Sequence, residues 1–318
     1  MKMIIYQGLN FLQERFLETV LLDIPEHKPA ADIIETVRRA YKIIVKKNFA
    51  YKVKYYAHKL LHGSMNDHYS KLGSYLSVLE QEYPNITFTL CAKPLVKGPE
   101  PVFFRLFIYF YALKQGWLEG CRKLLYVDAY FLKTFLGGQL LSVIGRDAND
   151  HMFPLAWVVV EGENNDNYKW FFQQLKIALG EEDGEGWTFI YDEHQSIISM
   201  VAEEFPWAEH RRCLRHIFAN WHKSYKGDGM KMMFWNCAHA YNQADFDEAL
   251  AAMKEVDPRA ADAFIRCNPT LFCRAFISTR TINNVIVNNM AETFNAWIIN
   301  ARSKHLIYML EDIRSMLM

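Results

Sequence analysis

Three acidic residues, Asp128, Asp192 and Glu292, are candidates for metal-assisted chemistry. Asp128 closes the apolar run Lys123-Leu-Leu-Tyr-Val, and Asp192 closes Trp187-Thr-Phe-Ile-Tyr. A short apolar strand tolerates a charge at its end where that charge faces a cleft or a cation. In α/β sheets, strand ends are where sites are built. Glu292 lies in Asn288-Asn-Met-Ala-Glu-Thr-Phe-Asn295, on a predicted helix that Ala291, Phe294, Trp297 and Ile298 would anchor to a core. Asn288 and Asn295 fall on the same helical face as Glu292. Mg²⁺ prefers hard oxygen ligands and commonly takes one or two carboxylates plus phosphate oxygens. Two such ions about 4 Å apart activate an attacking oxygen and stabilise a leaving one. Taken singly, each acid is more readily a strand-end or helix-surface carboxylate. The set of three is what points to metal-assisted chemistry.

Two further groups carry weaker signals. Cys213-Leu-Arg-His216 has a metal-ligand spacing, but a structural zinc takes four ligands. Cys237 and His239 are the candidates to complete it. The favoured reading is a packed Cys beside a hydrogen-bonded His; Zn²⁺ at Cys213 and His216 is the alternative. His194, His210 and His222 read as residues without a catalytic role. Between Val37 and His62 lie Arg38, Arg39, Lys42, Lys46, Lys47, Lys52, Lys54 and Lys59, with no Asp or Glu among them and four tyrosines interleaved. Such a run is either a solvated helical face or a phosphate-contacting module, and the sequence weighs the two equally.

The elements that must position these residues follow from periodicity. Residues 1–24 are uninformative, and 25–82 form a helical, candidate DNA-binding region. Ile86–Leu90 alternates like a strand. Residues 103–117 read as a buried helix. Then come three strands, 123–128, 139–146 and 152–160, joined by turns at Gly137-Gly138 and Asp147–Asp150, which make an antiparallel meander. A helix over 167–179, a strand over 187–191, a helix over 195–205 and a short strand over 209–213 complete the order β-β-β-α-β-α-β. That order predicts an α/β (α+β) fold: an RNase H-like mixed five-stranded sheet with flanking helices. It would bring the ends of the first and fourth strands together at the sheet centre. An all-helical insertion over about 214–287 precedes a last helix over 288–303. Residues 83–318 are thus one domain carrying that insertion.

Bulk numbers bound the function. Hydrophobic residues make up 51% and aromatics 15%, enough for a real core, so disorder is not the default. Lys+Arg and Asp+Glu are 36 each. A neutral chain does not coat nucleic acid by bulk charge, so any DNA contact must be a local patch. The six cysteines, Cys91, Cys121, Cys213, Cys237, Cys267 and Cys273, are scattered, which predicts a reducing compartment. The N-terminus lacks signal-peptide features, and no apolar run reaches the roughly 20 residues of a membrane span.

Residues 127–175 (VDAYFLKTFLGGQLLSVIGRDANDHMFPLAWVVVEGENNDNYKWFFQQL), the block FIYDEHQSIISMVAEEFPWAEHRRCLRHIFANW and the block NNMAETFNAWI resemble the core of Mutator-like (MULE) transposases. Many spaced positions agree at once: Asp then Lys, Gly-Gly-Gln-Leu-Leu, Asp-Ala-Asn, Phe-Pro-Leu-Ala, Val-Val-Glu-Gly-Glu and the C-x-x-H motif at Cys213 and His216. The resemblance spans roughly residues 29–318. It implies a DDE nuclease and strand transferase of RNase H-like fold, with Asp128, Asp192 and Glu292 binding Mg²⁺ (or Mn²⁺). It implies a nuclear protein acting on double-stranded DNA, element ends and target, with no membrane and with homo-oligomers as an open partner. Three departures from the family pattern stand out. Tyr191 replaces a small residue before the second Asp and would crowd the metal pocket. Ala129-Tyr-Phe131 replaces Gly-Cys-His. Zinc-type segments that flank the family's core have no counterpart here, which leads to the expectation of a truncated transposase. The alternative is a catalytically impaired, domesticated DNA-binding or transcription-regulating protein.

Overall fold

The computed structural model describes residues 30–52, 65–93, 102–133, 137–180, 182–278 and 284–317. Its centre is a seven-stranded mixed sheet in the order β1-β2-β5-β4-β3-β6-β7. The strands are β1 (Thr87–Lys93), β2 (Val102–Tyr109), β3 (Leu124–Phe131), β4 (Gln139–Arg146), β5 (Met152–Val160), β6 (Thr188–Tyr191) and β7 (Glu209–Arg212). β3 pairs antiparallel with β4, and β4 with β5, as the two turns dictate. Gly137 and Gly138 both have positive φ, at 69° and 88°. A side chain on Gly138 would meet the Val160 carbonyl oxygen at 2.8 Å, so the return into β4 needs glycine there. At the second turn Asp147 Oδ1 accepts from the backbone N–H groups of Asn149 and His151, an Asp-centred turn of the usual kind. Helical crossovers then make β3–β6 and β6–β7 parallel.

Central strands read as continuous apolar runs because both faces are covered. One face (Leu125, Val127, Leu141, Val143, Val158) packs on α4 (Asn165–Leu179) and α5 (Gln195–Glu204) through Phe171, Phe172, Leu175, Ile197 and Val201. The other face (Leu124, Tyr126, Tyr130, Leu140, Ile144, Trp157) packs on α2 (Met65–Glu82), α10 (Asn289–Trp297) and α11 (Leu306–Leu317). Their contributions include Leu76, Phe294 and Leu310. Asn164 caps α4 by accepting from Asn167 N–H, and Gly180 ends it in the left-handed conformation.

Beyond β7, helices α6 (Leu214–His222), α7 (Asp228–His239), α8 (Gln243–Val256) and α9 (Pro258–Arg266) gather around their own core of Leu214, Trp221, Phe234, Met253, Phe264 and Phe272. Arg211 of β7, only 1% exposed, ties this lobe to the sheet. Its guanidinium donates to the carbonyls of Thr270, Cys273 and Phe276. Of the expected helical N-terminal region, α1 (Ala30–Tyr41), residues 47–52 and α2 are helical, but residues 42–46 are not: Lys42, with φ 58°, breaks the helix.

Three expectations need correction. The sheet has seven strands, not five, because residues 103–117 are not one helix. They are strand β2 followed by α3 (Tyr111–Gly120), and β2 pairs with β1 and β5. Phe107 and Tyr109 are buried on one face while Leu106 and Ile108 are buried on the other. A strand apolar on both faces lacks the alternation that would mark it. The helix predicted over 288–303 also ends early, at Trp297. After the tight 3₁₀ turn Ala301–Ser303 comes the separate helix α11. All six cysteines are free thiols. Among the described residues no helix is long and apolar enough to cross a membrane.

Candidate active site

β3 and β6 run parallel with Leu124 opposite Thr188 and Tyr126 opposite Ile190. Two residues further along each chain stand Asp128 and Asp192, at the same end of the sheet. Asp128 Oδ1 accepts from Ala129 N–H at 2.8 Å, and Asp192 Oδ1 accepts from His194 N–H at 2.9 Å, which fixes the turn into α5. The Asp128 carboxyl is pushed up to about 7. Burial is the main cause; the charges of Asp192 and Glu163 add to it, while the Ala129 N–H and His216 oppose it. Burial and the neighbouring Asp192 charge thus both disfavour the ionised form of Asp128.

Helix α10 brings Glu292 to the same region. Asn288, fully buried, donates from Nδ2 to the Val127 carbonyl, and its backbone N–H meets Cys213 Sγ at 3.2 Å. Tyr130 OH donates to the Ala291 carbonyl at 2.7 Å. The helix is thus stapled to β3 at the residues flanking Asp128. The Glu292 carboxylate itself is engaged by Arg215 of α6. Among the described residues no group of three or more His, Cys, Asp or Glu is arranged to hold a metal ion. The structure therefore brings Asp128 and Asp192 together and sets the helix of Glu292 beside them, with that carboxylate paired to an arginine.

Two neighbours of the acids carry no signal of their own in the sequence. Glu163 follows β5 and is clasped by Gln139: Gln139 Nε2 donates to its carboxylate and Gln139 Oε1 accepts its backbone N–H. Tyr168 OH donates to the other carboxylate oxygen. Its charge reaches Asp128. The signal that could have found it is the pair Gly-Gly-Gln and Val-Val-Glu-Gly-Glu, whose ends meet because Gln139 pairs with Val160. Arg302 is the second: only 6% exposed, it donates from Nη1 to the Phe131 carbonyl and feels the Asp128 charge.

His216 lies within charge range of Asp128 and Asp192. Its contact with Cys213 first, then the two aspartates, lift its imidazole to about 9, so it is cationic at neutral pH. Cys213 is buried, and its sulfur takes the Asn288 N–H. Cys237 is buried in the core of the helical lobe. Tyr191 does not crowd the acids. Successive side chains of a strand point to opposite faces, so Tyr191 enters the α4/α5 face, 3% exposed, with its OH 3.1 Å from His210 Nδ1.

In the basic run Lys42, Lys46, Lys47 and Lys52 are exposed. Arg38 and Arg39 approach Glu35, one turn back, at 3.6 and 3.9 Å. Lys54 and Lys59 lie outside the described residues.

The expected strand end at Asp128 needs correction: β3 continues through Asp128, which pairs with Ser142, to Phe131, whereas Asp192 directly follows β6. The chain is thus a mixed α/β sheet covered by helices, with one acid inside a central strand and the other just past its parallel neighbour. Residues 124–220 match the family model described as the MULE transposase domain. The match runs from β3 into α6; it includes Asp128, Asp192, Cys213 and His216 and ends before Glu292. Over those residues the chain is similar to Mutator-like transposases. No curated protein matches the chain.

Proposed function

We propose that this chain is the catalytic core of a DDE-type DNA transposase, cutting and joining DNA strands at Asp128, Asp192 and Glu292. One observation carries the proposal: Asp128 and Asp192 each lie two residues beyond the Tyr126–Ile190 pair of the parallel strands β3 and β6, with the Glu292 helix stapled beside Asp128. Strands β5-β4-β3-β6-β7, three antiparallel and then two parallel, support an RNase H-like core to which the β1–β2 hairpin adds an edge.

The donor set fits Mg²⁺ or Mn²⁺: hard carboxylate oxygens, two of them already close enough to repel. Glu292 completes the set if its side chain leaves Arg215, a rotamer change open to a partly exposed glutamate. Bound divalent ions supply stabilisation of the attacking and leaving oxygens. The substrate is double-stranded nuclear DNA. Water attacks a phosphodiester at the element end and frees a 3′-hydroxyl. That hydroxyl then attacks a target phosphodiester, forming a new P–O bond as the old one breaks. Lys42, Lys46, Lys47 and Lys52 contact backbone phosphates away from the cut.

The pairing of Arg215 with Glu292 favours a second reading: a transposase-derived protein that binds DNA without cutting it. One experiment separates the two. Purified chain is incubated with supercoiled plasmid in Mg²⁺ or Mn²⁺ beside the Asp128→Asn variant. Nicking by the wild type alone supports the transposase core. Equal behaviour of the two proteins removes it.

A further inference from the structure

Arg302 is a buried cation, 6% exposed. Its guanidinium offers five N–H donors, and among the described residues one acceptor meets them: the Phe131 carbonyl, 2.9 Å from Nη1. Nε is sealed from water with no partner among the described residues. The guanidinium lies over the Tyr130 ring, 5.5 Å from its centroid. The acid within its charge range is Asp128. Burying a guanidinium is costly unless its hydrogen bonds are met. A strut to one carbonyl oxygen would need only a neutral donor such as glutamine. A fork of donors held stiffly beside the carboxylate pair suits an oxyanion that arrives with the substrate.

Lys133 stands next to it. Its backbone N–H donates to the Arg302 carbonyl at 2.8 Å, which ties the end of β3 to the Ala301–Ser303 turn. The residue is exposed and makes no ion pair among the described residues. Two cationic residues from segments far apart in sequence are thus tied together through the backbone at the end of β3, just beyond Phe131 and on the strand that carries Asp128. We infer that Arg302 and Lys133 form a phosphate grip, holding the DNA backbone beside Asp128. The inference rests on the DNA-cutting reading above and adds to it the residues that seat the phosphodiester. Arg302 contacts the phosphate through its guanidinium fork, and Lys133 contacts it as a mobile point charge.

The test is the salt dependence of DNA binding, read by fluorescence anisotropy on a fluorescein-labelled duplex. The full chain is used in Ca²⁺ buffer, beside Arg302→Gln, Arg302→Lys and Lys133→Gln. Removing the cation from one phosphate lowers the slope of log affinity against log salt by about 0.9. Arg302→Gln and Lys133→Gln are each expected to flatten the slope by that amount, and Arg302→Lys to restore it. A structural strut would change the melting temperature and leave the slope alone. Should Arg302→Gln fail to fold, Lys133→Gln, at an exposed position, decides: an unchanged slope there overturns the grip. Wild-type chain that binds and nicks DNA, with variants of unchanged slope, overturns the grip alone. Wild-type chain that binds no duplex overturns the proposed function and the grip with it.

Discussion

Arg215 of α6 holds Glu292 of α10 by a direct ion pair, 77 residues apart in sequence. The pair is partly exposed, at 55% and 35% of the side chains, and such pairs contribute about 0.2–1 kcal/mol. On the proposed reading, a divalent ion must win Glu292 from Arg215. Arg215→Gln is therefore expected to lower the Mg²⁺ concentration for half-maximal nicking about two- to fivefold. Thermal shift under Ca²⁺ titration should move in the same direction. An unchanged midpoint in both measurements would show that Glu292 does not compete between the two cations.

Asp128 makes a pH prediction for the metal-free protein. Its ordinary value is 3.8 and its folded value about 7. Below pH 4 the group is protonated in folded and unfolded chains alike and costs nothing. As pH rises toward 7 the unfolded chain releases the proton while the folded chain keeps it, so stability falls; above about 7 the loss is complete. The gap corresponds to on the order of 4 kcal/mol. In EDTA, Asp128→Asn should be more stable than wild type by a margin that grows from pH 4 to 7 and then levels off. Mg²⁺ should shrink that margin, because it favours the charged carboxylate. A margin independent of pH would contradict the burial of this charge.

Much of the sheet was legible because local chemistry states it. Gly137-Gly138 and Asp147 mark their turns, and the runs ending in Asp128 and Asp192 are short, apolar and bounded. β2 was not legible, since Phe103 to Tyr109 shows neither helical nor strand period when both faces are buried. Helix α11 carries a clear stripe of Leu306, Met309, Leu310 and Ile313. Its separation from α10 was hidden because no Gly or Pro marks the break at 298–305; Asn300 and Ala301 carbonyls turn the chain instead. Within the site, the aspartates could be read from the apolar runs that precede them, although β3 continues through Asp128 to Phe131. Glu163 could be read only by joining two motifs across the sheet, and Arg302 and the hold of Arg215 on Glu292 could not be read, because each depends on which distant segments pack together.

Arg211 bears on stability rather than chemistry. It sits on edge strand β7, buried, with three carbonyl acceptors from the helical lobe and Glu209 at 3.6 Å. Arg211→Met preserves much of the volume and strands those carbonyls without a donor. The expected loss is about 3 kcal/mol, seen as a lower denaturation midpoint. A loss below about 1 kcal/mol would mean that water reaches the carbonyls and that the lobe is held by apolar packing alone.

The basic run offers a test with two opposite signs. Lys46 and Lys47 are exposed, while Glu35 draws on Arg38 and Arg39 one helical turn away. If this face contacts phosphates, Lys46→Glu with Lys47→Glu should weaken duplex binding and flatten its salt slope by about 0.9 for each phosphate released. Glu35→Gln should act in reverse, since it frees two arginines and removes a charge that repels DNA. These side chains are 52–81% exposed, so folding stability should change by less than about 1 kcal/mol in the Glu35 variant. Anisotropy against salt measures both effects. A solvated face with no role in binding would leave the slope unmoved by all three substitutions. A binding face must respond in both directions, because the same field that attracts phosphate is weakened by glutamate and strengthened by its loss.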